Sequence, residues 1–210
     1  MKNILTIIIL TFLLTSCSNT DKPARTYLKD KNIYAINENG TEKQLTFNGT
    51  DSGPILIKDN GTVIFVRTES NGSTTRKKLM KVSIKDLVES VLTDQKPYID
   101  WIEGSHDIFN IDSPTLSLDG KYVLFIVEKW ATANELVKVD IKTGQWTELF
   151  TAESFEELGK EPYKGYFLAG QSDIEDRGRD IYFRLLNDSG RIIKKFGDEE
   201  SMKEFRAVLK

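Results

Sequence analysis

The chain has 210 residues, 39% of them hydrophobic and 29% charged, with a formal net charge of -3. That length supports one compact domain with a sizeable core, and the composition excludes wholesale disorder and a general nucleic-acid binder. A single cysteine and a single histidine exclude an internal disulfide, thiolate clusters and His-rich metal sites.

Taken in chain order, the first element is an address. Lys2 precedes an apolar run from Ile4 to Leu14, broken only by Thr6 and Thr11 and ended by Ser16 and Cys17. A permanent membrane helix needs about twenty apolar residues, so this run is too short, and polar chain follows it. Leu14-Thr15-Ser16-Cys17 resembles the lipobox of bacterial lipoproteins; an ordinary secretory signal is the competing reading. The resemblance implies cleavage before Cys17, a diacylglycerol on its thiol and acylation of the new amino group. Two or three acyl chains suffice for stable anchoring, whereas one does not. Residues 1–16 are therefore expected to be a signal peptide and 17–30 a lipidated, flexible tether, polar and interrupted by Pro23. The domain is expected over 31–210. Ser18 is similar to the outer-membrane sorting pattern, so the expected location is the bacterial envelope, at the outer membrane where there are two.

A repeat organises the body. Pro54 to Val66 matches Pro114 to Ile126, pairing Pro54 with Pro114, Leu56 with Leu116 and Phe65 with Phe125. A weaker copy runs from Tyr166-Phe167-Leu168 through Arg177-Gly178-Arg179 to Ile181-Tyr182-Phe183, which makes Phe183 the expected counterpart of the other two rings. Each copy reads as a short strand, a tight turn and a strongly apolar strand, the turn being Asn-Gly or Asp-Gly in the first two. Val63–Val66 and Val123–Val127 lack alternation, which predicts strands buried on both faces. Further hairpins are expected from Ile33–Ile36 to Glu42–Thr46, from Glu135–Asp140 to Gln145–Leu149, and from Ile181–Leu185 to Arg191–Phe196. Four short antiparallel strands repeated radially describe a propeller blade, with a sandwich as competitor.

Tyr34–Gly40, Gln44-Leu45-Thr46, Gly53-Pro54, Asn60–Phe65 and Ser113–Phe125 resemble the repeat of TolB-type β-propellers. The resemblance implies an all-β, TolB-like β-propeller, small or incomplete, with three to four blades. The Ile33–Phe47 hairpin is expected either to complete a blade begun by the C-terminal end or to belong to an open arc. Helices are minor: one inserted over 84–93 behind a Ser83–Asp86 capping box, a short turn from Thr151 through Leu158, and a C-terminal helix capped by Asp198.

Chemistry is sparse. Ser105-His106-Asp107 contains the residue types of a hydrolase relay, but adjacent residues do not converge as a triad does. Asp107, Asp112 and Asp119, or Asp173, Glu175, Asp176 and Asp180, could surround calcium, yet neither set has EF-hand spacing. No cofactor is expected, and Arg76-Lys77-Lys78 reads as a solvated turn. The long connection Pro97–Asp112 carries Tyr98, Trp101, His106 and Phe109, and together with Trp130 these form a candidate partner-binding surface. The bland alternative is that the tryptophans fill gaps between blades. The expected function is a non-catalytic, membrane-anchored envelope lipoprotein that binds or scaffolds a protein or glycan. The alternatives are a structural lipoprotein without a ligand and a carboxylate-dependent hydrolase. The expected partners are membrane lipid through acylated Cys17, an envelope protein or glycan, and a second copy if the blades are open.

Overall fold

The computed structural model describes residues 22–72, 74–94, 111–128, 134–175 and 178–209. Cys17, Tyr98, Trp101, His106, Phe109 and Trp130 lie outside the described residues. Among the described residues the strands form four antiparallel sheets in chain order. The first contains β1 (Pro23–Lys29), β2 (Asn32–Asn37) and β3 (Glu42–Gln44). The second contains β4 (Asp51–Ile57), β5 (Thr62–Asn71), β6 (Thr74–Ser83) and β7 (Glu89–Asp94). The third is β8 (Asp112–Leu116), β9 (Tyr122–Glu128), β10 (Asn134–Asp140) and β11 (Trp146–Thr151). The fourth is β12 (Ser154–Glu157), β13 (Phe167–Glu175), β14 (Gly178–Leu186) and β15 (Ile192–Phe196), followed by helix α1 (Glu199–Val208). Strands adjacent in sequence are adjacent in each sheet, which is the up-and-down order of a propeller blade.

Stacking of the sheets explains the apolar runs. Val63 and Phe65 face back and pack with Ile33, Ala35 and Leu45 of the first sheet. Ile64 and Val66 face forward and pack with Val123, Phe125 and Val127 of the third. Leu124 continues the pattern against Phe167 and Ala169 of the fourth. Strands β5 and β9 are thus buried on both faces, as the missing alternation predicts, and both Phe65 and Phe125 are fully buried. The array is all-β and open.

Several expectations change. Arg76-Lys77-Lys78, read as a solvated turn, lies in β6, where pairing with β5 extends the hairpin to Asn71–Thr74. Pro23–Lys29, placed in the tether, is strand β1, paired through Tyr27–Tyr34 with β2; Thr26 and Tyr27 at its centre are strand-favouring residues. The helix over 84–93 is a turn followed by β7: Leu87 takes positive φ (57°), which ends the capped turn, and Val88 and Val91 remain exposed. Ser154–Glu157, expected in a turn, is β12, the innermost strand of the fourth sheet. Phe183 is not the counterpart of Phe65 and Phe125, because β13 rather than β14 is the second strand of its sheet. Its ring is half-buried beside Phe196 and α1.

The first sheet is also not completed from the C-terminal end. Its β2–β3 turn closes with the Gly40 N–H donating to Asn37 O, as the β14–β15 turn closes from Gly190 to Asn187. The Asp51 N–H donates to Lys31 O, placing the β1–β2 turn beside the start of β4. These turns make β1, β2 and β3 the second, third and outer strands of a blade. At the other end Met202, Phe205 and Leu209 pack on Leu168, Leu185 and Phe196, so the C-terminal helix forms as expected and covers the last sheet. No helix among the described residues is long and apolar enough to cross a membrane.

Candidate functional site

Each innermost strand begins at one end of its sheet, the upper end. Asp51, Arg67, Lys78 and Asp94 make one row across the second sheet, and Asp112 pairs with Ile126 in the third. Glu128 pairs with Asn134 two residues above that. The described residues flanking 95–110 and 129–133 therefore all stand at upper ends. A Cβ on Gly53 would lie 3.3 Å from Pro114 Cδ, so β4 and β8 run side by side and bring those ends together. This is what the structure contributes to the predicted aromatic surface: the attachment points of its two segments are neighbours.

Below this rim lies a feature that the sequence reading missed. Arg67 closes the apolar run Val63–Val66 and is buried with Asp51. Its Nε donates to Asp51 Oδ1 at 2.8 Å and its Nη2 to Asp51 Oδ2 at 3.1 Å, while Nη1 donates to Glu89. With its amide oxygen turned inward, Asn48 accepts from Nη2 at 2.8 Å and Nη1 at 2.9 Å, and the Phe65 ring lies 5.2 Å from Arg67 Cζ. Burial opposes the charge, but the hydrogen bonds to Asp51 and Glu89 and their negative charge outweigh it, so the guanidinium pKa is pushed up. All five N–H donors are engaged. The group has none left for a ligand, so it is a clamp tying β4, β5 and β7 under the rim. The signal was available: an arginine directly after four buried apolar residues must bring its own counter-charge.

Between the third and fourth sheets, Asn134 Nδ2 donates to Glu153 at 2.7 Å. Gln171, also buried, donates to Thr151 O. At the opposite, lower end, Asp119 accepts from the Ser117 hydroxyl at 2.7 Å and the Lys121 N–H at 3.0 Å. Burial works against its ionisation, but these bonds and the Lys121 charge hold its pKa below the usual value. Nearby, Glu157 accepts from the Leu118 N–H at 2.8 Å. Burial, aided by the Asp119 charge, raises its pKa. Strand β8 separates Asp112 from Asp119 by its length, about 15 Å, so these two cannot share one cation. Among the described residues no group of three or more His, Cys, Asp or Glu is placed to hold a metal ion.

No family model matches the chain, and no curated protein matches it. Among solved structures it is similar to TolB from Acinetobacter baumannii, with 16% identity and a TM-score of 0.49, over 80% of this chain and 38% of that one. It is similar to dipeptidyl peptidase 4 from Porphyromonas gingivalis, with 12% identity and a TM-score of 0.55, over 82% of this chain and 31% of the other. It is also similar to puromycin hydrolase, with 14% identity and a TM-score of 0.53, over 80% of this chain and 28% of that one. The chain spans less than two thirds of the length of each. At these identities the likeness concerns the fold alone.

Proposed function

We propose that the chain is a lipid-anchored envelope protein whose upper rim recognises a protein or glycan without converting it chemically. The observation that carries the recognition reading is that the strand ends at Asp94, Asp112, Glu128 and Asn134 all stand at the upper ends of two adjoining sheets. Two segments attached there hold Tyr98, Trp101, His106, Phe109 and Trp130, the aromatic-rich composition that recognition surfaces favour. The Leu14–Cys17 motif supports the anchor, with lipid on Cys17. The carboxylate-dependent hydrolase alternative draws on scattered acids and on fold likeness to puromycin hydrolase and dipeptidyl peptidase 4, and likeness of fold carries no chemistry by itself.

The test compares capture of envelope proteins and cell-wall glycans by the wild type with that by Trp101→Ala and Trp130→Ala. Recognition at the rim predicts weaker capture with the unfolding midpoint nearly unchanged. Undiminished capture by both folded variants rejects this rim. A large stability loss in both returns the tryptophans to gap-filling between blades.

A further inference from the structure

In the second, third and fourth sheets, three alternate residues of the second strand face back along the chain. They are Val63, Phe65 and Arg67, then Val123, Phe125 and Val127, then Phe167, Ala169 and Gln171, and all nine are buried. The first sheet breaks this rule. Tyr34 and Val137 lie the same number of residues before their turns and pair with Tyr27 and Phe125 respectively. The corresponding back-facing residues of β1 are therefore Arg25, Tyr27 and Lys29, of which Arg25 and Lys29 are exposed and Tyr27 half-buried. Ile33 and Ala35 point to the second sheet, so Tyr34 between them shares the outward face. There the Tyr27 and Tyr34 rings stack at 5.4 Å, Lys29 Nζ lies 5.4 Å from the Tyr34 centroid, and Lys29 meets Glu42 at 3.8 Å.

The charge around this face is concentrated. The first sheet, residues 22–44, holds Lys22, Arg25, Lys29, Lys31 and Lys43 against Asp30, Glu38 and Glu42, a net positive patch in a chain whose net charge is -3, although Glu42 offsets Lys29. The Arg76–Lys78 cluster is neutralised locally, with Arg76 on Asp94 and Lys78 on Glu69, each at 2.6 Å. Cys17 stands six residues before Pro23, and six extended residues reach at most about 22 Å.

We infer that this outward face of the first sheet docks on the anionic headgroups of the membrane in which Cys17 is anchored. The inference rests on the lipid-anchor reading and adds which face meets the bilayer and which lipid class holds it. Each unpaired cation near an anionic surface strengthens association about fivefold, and tyrosine suits the headgroup layer. Two copies joined through this face would instead bring like charges together.

The test uses the full-length acylated protein in vesicles of 30% phosphatidylglycerol in phosphatidylcholine, and in phosphatidylcholine alone. Amine labelling is read by mass spectrometry at Lys22, Lys29 and Lys31, with Lys203 on α1 as the internal reference. Docking predicts labelling of Lys29 at least fivefold slower relative to Lys203 on the anionic vesicles. Arg25→Glu, at an exposed position, should reduce that protection, and high salt should abolish it. An identical Lys29-to-Lys203 ratio on both vesicles, with acyl chains present on Cys17, overturns the docking face and leaves the anchor standing. An unacylated Cys17 in the same spectra overturns the anchor and this proposal with it.

Discussion

Arg67 follows four buried apolar residues, at a place where the third sheet carries Val127, and its cost is offset only because Asp51, Glu89 and Asn48 converge on it. Removing the cation leaves the fully buried Asp51 carboxylate without its partner, and breaking such a pair costs about 3–5 kcal/mol. Urea unfolding of Arg67→Ala should show that loss. A variant of near wild-type stability would mean that Asp51 is reached by water. Phe65→Ala and Phe125→Ala should each cost about 3–5 kcal/mol in the same assay, and Phe183→Ala less, since its ring is half-buried. The first two rings were legible because each sits in an unalternating apolar run after a glycine turn. Phe183 misled because Ile181-Tyr182-Phe183 resembles a second strand locally, and only pairing with both β13 and β15 shows that it belongs to the third.

Turns carry the stacking between sheets. Gly144, between β10 and β11, takes positive φ (75°), and a Cβ there would lie 2.3 Å from Leu92 O of β7. Gly190, in the same place one sheet later, would put a Cβ 2.6 Å from Leu149 O of β11. Gly61 and Gly120 also have positive φ but meet nothing within 4 Å. Alanine at Gly61 or Gly120 should therefore cost only the left-handed penalty of about 1–2 kcal/mol. At Gly144 or Gly190 a clash with the backbone should add about 1–3 kcal/mol more. Equal losses at all four positions would refute docking through these turns.

Helix α1 was legible from its cap. Asp198 accepts from the Ser201 N–H at 2.8 Å in a capping box. The bonds from Ser201 hold its pKa below the ordinary 3.8. A depressed carboxylate pKa contributes stability above the unfolded value and loses it as pH falls through the folded one. Helical circular dichroism of the wild type should therefore fall further below pH 3.8 than that of Asp198→Asn, whose amide caps without titrating; parallel curves would contradict this. The expected helix over 84–93 failed for a tertiary reason. Its capping residues were real, with the Asp86 N–H donating to Ser83 Oγ at 3.3 Å. Pairing of Glu89–Thr93 with β6 then outcompeted helical propagation.

Across the whole molecule, four stacked sheets end in two different surfaces: α1 covers the last, and a polar, tyrosine-bearing face closes the first. Blade content was readable from turn glycines and the offset between Pro54 and Pro114. The open arrangement was not, because it depends on which strand the first sheet lacks among the described residues and on where α1 lands. Of the candidate rim only the attachment points are defined by pairing, since Tyr98, Trp101, His106, Phe109 and Trp130 lie outside the described residues. The proposed lipid anchor at Cys17 is decided by the intact mass of the protein purified from bacterial membranes. An anchored protein should give a mature chain beginning at Cys17 and carrying acyl chains, with Cys17→Ala accumulating as an uncleaved, unacylated precursor. A membrane-derived mature chain with a free Cys17 thiol would contradict it.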